Sequence, residues 1–466
     1  MKNGSVKVVR YIGKGKTLPR EYLDCLDAES GYVVVDSLQG GNVTLRASLD
    51  EHPVQFSVGM LTRDFLDIAT LVYVVDEVLS RDEADDHWTR RFDVMAPVAN
   101  PKLWKKNAAG LSQMLRTLAG DNYSFKWCSR PSGLRNFGNH KRNVPKGYDA
   151  VCLFSGGIDS FLGAHKLLKE GKRLLLVGHQ ADGTAAKAQK DLAGMLRQWF
   201  PNRLRLIQFR GARSMAEGPR YELPPKCEET HRPRSFLFLA LAITIANGVG
   251  ISSVYIPENG LIALNPPLGK SRLGTLSTRT AHPKYLTELG DFLRATGIFR
   301  GHIKNPFLFQ SKTDMLNNID PTLSAALKRS VSCARPSRYK NLGVRHCGYC
   351  VPCIYRRIAM AGASLDVPSD YAFDVFRRIN ALPKDKQLDF RSLVTFAKSF
   401  LAMSGTGKEL VVLAHGSFPL EAAERFGDQP VTSFSAWSEM IERWAAEFLG
   451  KLQTITTADT RRTIGL

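Results

Sequence analysis

The chain has 466 residues, of which 44% are hydrophobic and 23% charged, with 64 lysines and arginines against 44 aspartates and glutamates. This length exceeds what one hydrophobic core usually serves, so two or three domains are expected, and the ordinary composition excludes a disordered or fibrous chain. The formal charge of +20 favours contact with polyanions such as nucleotides or nucleic acids. No apolar run approaches the roughly 20 residues of a membrane span, so we expect a cytoplasmic protein that makes no membrane contact.

Short strands and a few helices are predicted before residue 147. β-branched or alternating residues predict strands at Val6–Ile12, Tyr32–Ser37, Asn42–Ser48 and Val54–Val58. Gly40-Gly41 predicts a hairpin-like turn, and apolar spacing predicts helices at Phe65–Leu79 and Pro101–Ala119. Because no catalytic constellation is visible here, we interpret residues 1–146 as an N-terminal β-rich α+β accessory domain.

From Asp149 onward, predicted strands alternate with predicted helices. Apolar runs predict strands at Ala150–Phe154, Leu174–Gly178, Leu204–Phe209 and Val254–Pro257. Helical spacing predicts the helices Phe161–Lys169, Lys187–Phe200 and Ser235–Asn247. This alternation predicts an α/β fold with a doubly wound parallel sheet, which we assign to residues 147–357.

The last part of the chain, residues 358–466, is predicted to be a C-terminal α-helical region. Amphipathic spacing predicts helices at Tyr371–Ala381, Phe390–Met403, Leu420–Phe426 and Ser435–Leu452. The polar residues Thr454–Leu466 are expected to fray.

The motif Ser155-Gly156-Gly157-Ile158-Asp159-Ser160 lies between a predicted strand and a predicted helix. Paired glycines let the backbone approach an anion, the two serine hydroxyls can donate to phosphate oxygens, and the helix directs free N–H groups at the charge. A carboxylate at Asp159 fits if Mg²⁺ lies between it and the pyrophosphate part of ATP. The alternative is an ordinary strand-to-helix turn with a serine N-cap. The motif is not a Walker loop, because no Gly-Lys-Ser/Thr follows.

A second candidate site consists of four cysteines. Cys333 precedes the closely spaced Cys347, Cys350 and Cys353, which read Cys-x-x-Cys-x-x-Cys. Four soft ligands at this spacing are typical of a closed, structural Zn²⁺ site, and an iron–sulfur cluster is the alternative. Of the remaining cysteines, Cys227 is the one placed in a loop expected to border the active site.

The two motifs together resemble a known family. The loop resembles the SGG-x-DS signature of the PP-loop ATP pyrophosphatases, and with the late cysteine site it resembles the QueC (7-cyano-7-deazaguanine synthase) family over about Asp149–Arg357. The resemblance implies an adenine nucleotide alpha-hydrolase-like fold of HUP type and favours zinc over iron–sulfur. It also implies an enzyme that forms AMP and pyrophosphate: ATP adenylates a 7-deazaguanine carboxylate, and an amine then attacks the adenylate.

The resemblance also implies roles for residues outside the loop. Arg234, in Arg232-Pro233-Arg234-Ser235, corresponds to the arginine of a Pro-x-Arg-Asn segment and is a catalytic candidate. Lys312 corresponds to a Lys-Thr motif and is expected to neutralise the α-phosphate. The adenine is expected beside the backbone of Gly178 and His179, although a purely structural histidine is an equal alternative.

Departures from the family motifs indicate a changed substrate and partner. Ser235 replaces the family's asparagine, and the long N- and C-terminal extensions resemble the QueC-like proteins of bacterial anti-phage systems, in particular QatC of the Qat system. This resemblance implies that the amine is either ammonia or a group on a protein partner from the same defence operon. Two alternatives remain open: a tRNA- or nucleobase-modifying PP-loop enzyme that contacts nucleic acid, and a non-catalytic ATP-sensing scaffold.

Overall fold

The computed structural model describes residues 5–11, 32–36, 43–50, 52–53, 58–78, 80–130, 147–180, 182–213, 228, 232–265, 279–416 and 434–466. Its strands are β1 (Ser5–Tyr11), β2 (Tyr32–Asp36), β3 (Val43–Leu49), β4 (His52–Pro53), β5 (Arg91–Val98), β6 (Asn122–Ser129), β7 (Ala150–Leu153), β8 (Leu174–His179), β9 (Leu204–Arg213), β10 (Ser253–Tyr255) and β11 (His302–Lys304).

Helices fill most of the remaining described chain. They are α1 (Met60–Val78), α2 (Pro101–Ala119), α3 (Ile158–Lys169), α4 (Gly183–Trp199), α5 (Arg234–Val249), α6 (Gly260–Leu264), α7 (Pro283–Thr296), α8 (Lys312–Leu316), α9 (Ser324–Arg329), α10 (Val351–Gly362), α11 (Val375–Arg378), α12 (Lys384–Leu401), α13 (Gly405–Gly416), α14 (Phe434–Ile455) and α15 (Ala458–Ile464).

A central sheet has the strand order β11-β10-β7-β8-β9-β3-β4 within the described residues. Strands β7 to β11 all pair in parallel, which confirms the predicted α/β fold with a mostly parallel sheet. The chain passes from β7 through β8 to β9 and then returns to place β10 on the other side of β7. The strand order therefore reverses between β7 and β10, and open α/β sheets bind ligands at the carboxyl ends of strands beside such a reversal.

Both faces of the central sheet are covered, as expected for a doubly wound arrangement. In β7, Val151 and Leu153 belong to one apolar core, while Ala150 and Cys152 belong to another. Helix α5 supplies residues to the first core, and α3 and α4 supply residues to the second. Because neither face of the strand meets water, its sequence is an uninterrupted apolar run rather than an alternating one.

The segment before residue 147 contributes to two sheets. Strands β2, β1, β5 and β6 form a parallel sheet in that order, while β3 pairs antiparallel with β9 and extends the central sheet. The predicted turn at Gly40-Gly41 lies outside the described residues, and the strands on its two sides, β2 and β3, lie in different sheets. Strands β5 and β6 were not predicted, and the predicted strand Val54–Val58 lies outside the described residues except for Val58.

Helices of the N-terminal segment share a core with the central sheet. Phe65 of α1 packs edge-to-face on Phe236 of α5 at 5.4 Å, and Trp104 of α2 lies 5.9 Å from Phe292 of α7. The domain boundaries at residues 146 and 357 stay a prediction, and the cores on both sides of the first boundary are continuous.

A buried set of charges lies in the N-terminal segment; we call Asp76, Arg81, Arg90 and Asp121 the lobe cluster. Both terminal nitrogens of Arg81 donate hydrogen bonds to Asp121, one to each carboxylate oxygen, at 2.8 Å. Arg90 also donates to Asp121 at 2.8 Å and forms an ion pair with Asp76. Each residue is at most 4% exposed, so the ion pairs are shielded from solvent.

The C-terminal region is helical, as predicted, and packs on the central unit. Trp444 of α14 lies 5.7 Å from Tyr355, and Trp437 lies 5.0 Å from Phe309 in the segment before α8. The predicted helix Leu420–Phe426 lies outside the described residues. The predicted helix Tyr371–Ala381 is reduced to the single turn α11 followed by a 3₁₀ turn.

The expected fraying of Thr454–Leu466 is wrong. Helix α15 begins with a side-chain cap, because Thr457 Oγ1 accepts the Thr460 N–H at 3.3 Å, and Thr460 and Ile464 are buried. The Thr457 N–H also donates to the Phe376 carbonyl. Threonines that read as solvated in the sequence are thus used as caps and tertiary contacts.

Candidate active site and metal centre

The loop Ser155–Ser160 follows β7, at the carboxyl edge of the central sheet. Gly156 has a φ of 86°, and a Cβ there would come within 3.2 Å of the Ala185 carbonyl oxygen and the Gln189 nitrogen. Gly157 is the N-cap of α3 and provides no side-chain cap. The first N–H groups of α3 are thus left without a side-chain cap, an arrangement suited to binding an anion.

The two loop serines lie side by side. The Ser155 hydroxyl donates to Ser160 Oγ at 3.1 Å, and the Ser160 hydroxyl lies at the same distance from the Gly157 carbonyl. Ser155 is exposed, whereas Ser160 is buried. The loop therefore presents one hydroxyl to solvent and uses the other to support its own backbone.

Asp159 of this loop lies at the centre of a group of charged and polar side chains. We call Asp159, Glu258, Asn259 and Lys312 the loop cluster. Asp159 forms an ion pair with Lys312, and the two residues are 6% and 8% exposed. Asn259 donates its side-chain amide to the same carboxylate at 2.7 Å and its backbone N–H at 3.2 Å. The predicted catalytic residues Asp159 and Lys312, 153 positions apart in sequence, are therefore in direct contact.

Three connections converge on this point because of the sheet topology. Asp159 follows β7, while Glu258 and Asn259 follow β10, its neighbour across the strand reversal. Lys312 is the first residue of α8, and it is held there by a capping box in which Ser311 and Asp314 exchange hydrogen bonds at 2.8 and 3.0 Å. The cluster thus occupies the ligand position expected for such a sheet.

The two acids of the loop cluster differ in protonation. Burial, and next the charge of Asp159, raise the pKa of Glu258 well above its ordinary value. Burial also opposes ionisation of Asp159, but the Lys312 charge and hydrogen bonds from Glu258, Lys312 and Asn259 outweigh it and lower the pKa of Asp159. The pKa values of the two carboxyl groups are therefore shifted in opposite directions, which favours ionisation of Asp159 and protonation of Glu258.

The carboxyl end of β8 is shaped by a buried glutamine. Gln189 of α4 donates to the carbonyl oxygens of Ser155 and His179 at 3.3 and 3.2 Å. A Cβ at Gly178 would overlap the Gln189 side chain, so only glycine fits there without displacing this amide. Gly178 is accordingly required for packing next to the loop; adenine binding at this backbone remains a prediction.

His179 and Arg234 lie together beside the end of β8. The His179 ring is 3% exposed and contacts the rings of Tyr73 and Phe238 edge-to-face. Its Nε2 lies 2.9 Å from the Gly211 carbonyl oxygen, an environment that fits the structural interpretation of this side chain. Arg234, the first residue of α5, lies over Phe238, with its guanidinium carbon 5.1 Å from the ring centre. These contacts group Arg234 with the end of β8 rather than with the loop cluster.

The four predicted metal ligands come together. The Sγ atoms of Cys333, Cys347, Cys350 and Cys353 lie within 4.8 Å of one another, and Cys347 and Cys353 are buried. Four thiols in this arrangement fit a tetrahedral Zn²⁺ ion with no open position. Cys227 lies outside the described residues.

The cysteine site is joined to the phosphate-loop candidate. The Val331 N–H donates to the Gly156 carbonyl at 2.8 Å, two residues before Cys333. A metal that fixes the cysteine segment would therefore also fix one side of the loop.

Comparison with known proteins bears on about half of the chain. The chain matches no protein-family profile. It is similar to a 7-cyano-7-deazaguanine synthase of Methanothrix thermoacetophila, with 26% identity over 238 residues that cover 48% of this chain and 98% of that relative. The similarity supports a QueC-like family. None of the helices that the structure describes has the length and apolar character needed to cross a bilayer.

Glu258 and Asn259 were not predicted as site residues. The sequence shows them directly after the predicted strand Val254–Pro257, where polar residues at the carboxyl end of a parallel strand are binding candidates. The missing signal is strand order, because only the placement of β10 beside β7 brings them to Asp159.

Proposed function

We propose that this chain is a QueC-like, ATP-dependent adenylating enzyme with a PP-loop fold. The observation that carries the proposal is the loop cluster: an ion-paired Asp159 and Lys312 directly below an uncapped helix N-terminus at the strand reversal. The similarity to a 7-cyano-7-deazaguanine synthase supports the same activity.

In the proposed reaction a carboxylate oxygen of the substrate attacks the α-phosphorus of ATP. The bond between the α-phosphorus and the α,β-bridging oxygen breaks, and pyrophosphate leaves toward the N–H groups and hydroxyls of Ser155–Ser160. Lys312 supplies positive charge beside the α-phosphate. Bound Mg²⁺ would neutralise the phosphate charge, with Asp159 as its protein ligand. An amine then attacks the acyl carbon and AMP leaves.

We propose that the substrate is a 7-deazaguanine-type carboxylate and that the amine is ammonia or a group on a protein partner. A role in a bacterial antiviral defence system of the Qat type, with a partner from the same operon, accounts for the half of the chain outside the match to the shorter relative. Adenine is placed beside the backbone of Gly178 and His179, next to Arg234.

The test is the release of pyrophosphate and AMP from ATP, Mg²⁺, a 7-deazaguanine carboxylate and ammonium. Asp159→Asn should lower the rate at least about 100-fold. Asp291→Asn, at an exposed position of α7, is the matched control and should retain the wild-type rate. Release of ADP and phosphate would contradict adenylation. If Asp159→Asn still supports antiviral defence in cells and still binds ATP, a non-catalytic scaffold would be favoured.

For the metal centre we propose zinc. Purified protein should contain about one zinc per chain and no visible absorption from iron–sulfur. Cys353→Ser should lose that metal, while Cys128→Ser, at a half-buried cysteine outside the cluster, should keep it. Iron and sulfide in equal amounts would identify the alternative cluster.

A further inference from the structure

The cysteine segment carries an unusually one-sided charge. Between Asp320 and Asp366 the sequence contains no aspartate or glutamate. The same stretch contains five lysines or arginines that the structure exposes, which we call the knuckle surface: Lys328, Arg329, Arg335, Arg338 and Lys340.

These cations lie on one segment of the chain that is held in place by several contacts. The Arg345 guanidinium donates to the carbonyl oxygens of Arg329 and Lys328 at 2.9 and 3.3 Å, which fixes the end of α9 against the cysteine segment. On the other side, Ser337 Oγ lies 3.1 Å from Thr184 Oγ1 at the start of α4. The cysteine site holds the base of the segment. The knuckle surface is therefore anchored at three points beside the loop Ser155–Ser160.

Stability does not account for most of this charge. Lys328 and Arg329 lie in the last turn of α9, where cations are stabilised by the helix dipole. Lys340 lies in the last turn of the short 3₁₀ segment Pro336–Leu342, whereas Arg338 has no such position. In the described part of the chain neither Arg338 nor Lys340 forms an ion pair with a carboxylate. Clustered like charges that repel one another without partners are expected where a polyanion binds.

An aromatic ring lies among the cations. Tyr339 is half-buried, its hydroxyl lies 2.9 Å from that of Tyr349, and the Arg338 guanidinium carbon lies 5.9 Å from its ring centre. Leu342 beside it is 60% exposed. Cations interleaved with an aromatic ring and an exposed apolar side chain fit a nucleic acid strand, in which phosphates alternate with stacking bases. They fit it better than an acidic peptide, which offers charge alone.

We propose that the knuckle surface binds single-stranded nucleic acid next to the active-site loop. Phosphates contact Arg338, Lys340 and their neighbours, and a base packs on Tyr339. The 3₁₀ segment Pro336–Leu342 is interrupted by a kink at Tyr339, so it does not present the regular helix that fits a major groove, and single strands are preferred over duplexes. This proposal does not depend on the adenylation chemistry.

The test is fluorescence anisotropy of the full chain, without ATP, using labelled single-stranded RNA and DNA of about 16 nucleotides. Arg338→Glu/Lys340→Glu should weaken binding at least tenfold and reduce the slope of log affinity against log salt by about 1.4, or about 0.7 for each lost phosphate contact. Tyr339→Ala should weaken binding about tenfold with little change of slope.

Matched controls separate this surface from general charge and from folding. Lys105→Glu/Lys106→Glu, on the exposed face of α2, makes the same charge change and should leave most of the affinity. Zinc content shows whether the knuckle variant retains its fold. Asp159→Asn should bind like the wild type, so failure of the adenylation assay leaves this test intact.

Three results would overturn the proposal: equal weakening by both double variants, tighter binding of duplex than of single strands, or stronger competition by poly-glutamate than by unlabelled oligonucleotide. The last would identify an acidic protein as the partner. A difference between the RNA and DNA arms would show which strand the surface prefers.

Discussion

The lobe cluster sets two arginines against two aspartates, whereas the loop cluster sets two carboxyl groups against one lysine and one asparagine. In the lobe cluster both Asp121 oxygens receive guanidinium hydrogen bonds, and the charges of the four residues cancel. The loop cluster has one acid more than its cation can neutralise, and burial, followed by the charge of Asp159, raises the pKa of Glu258. A balanced cluster holds a fold together; an unbalanced one at a sheet edge has capacity to bind another cation.

The largest expected effect comes from removing the cation of the loop cluster. Lys312→Met should reduce pyrophosphate release about 1000-fold, equivalent to about 4 kcal/mol, because it removes positive charge beside the α-phosphate. Lys169→Met, at an exposed position near the end of α3, is the matched control. Equal rates for the two variants would remove Lys312 from the chemistry.

Breaking the lobe cluster should lower the free energy of unfolding and leave turnover unchanged. Asp121→Asn leaves Arg81 and Arg90 buried with one counter-charge fewer, so we expect a loss of about 3 kcal/mol in the free energy of unfolding. Turnover per folded molecule should stay at the wild-type level. Urea denaturation measures the first quantity, with Asp93→Asn, on an exposed position of β5, as control. A large fall in turnover with unchanged stability would show that the lobe cluster belongs to the active site.

Substitution of Gly178 tests the effect of backbone packing beside the loop, separately from charge. Gly178→Ala places a Cβ against the Gln189 side chain, which links Ser155 to His179, and should cost about 2 kcal/mol of stability and weaken ATP binding. Gly194→Ala lies on the same helix as Gln189, where a Cβ meets nothing within 4 Å, and should stabilise the chain by about 0.5–1 kcal/mol. Unchanged ATP affinity in Gly178→Ala would mean that the glutamine link does not support the loop.

The two clusters also differ in how far the sequence predicts them. Asp159 and the four cysteines belong to short motifs, and local spacing carries their chemistry, so they could be identified before the fold was known. Arg81 and Asp121 are 40 positions apart and belong to no motif, so only the packing of the N-terminal segment pairs them.

Strand prediction failed for a related reason. Strands β5 and β6 contain charged and proline residues, such as Asp93, Pro97 and Lys126, which dilute the local strand signal. The pairing of β5 with β1 and β6 over their length compensates for that weak propensity. The central strands β7 and β8 could be predicted from local sequence, because strands buried on both faces are continuous apolar runs.

The smallest expected effect concerns the extra proton of the loop cluster. The folded pKa of Glu258 is raised, so its contribution to stability is fully present below the ordinary value of 4.5 and is lost as pH rises toward the folded pKa. The slope is at most about 1.4 kcal/mol per pH unit, so we expect the free energy of unfolding to decline gradually as pH rises above 4.5.

Glu258→Gln in magnesium-free buffer tests this expectation. The substituted amide cannot titrate, so the variant's free energy of unfolding should decline less steeply than that of the wild type over this interval. Other buried acids with a raised pKa, such as Asp76 and Glu288, still titrate in both proteins. Titration of Asp159 adds no slope in this interval, because its lowered pKa places its own loss of stability below pH 3.8. Asp291→Asn, at an exposed position of α7, leaves the buried acids untouched and should retain the wild-type slope. Parallel slopes for wild type and Glu258→Gln would show that the loop cluster carries no extra proton, and the contrast between the two clusters would then rest on exposure alone.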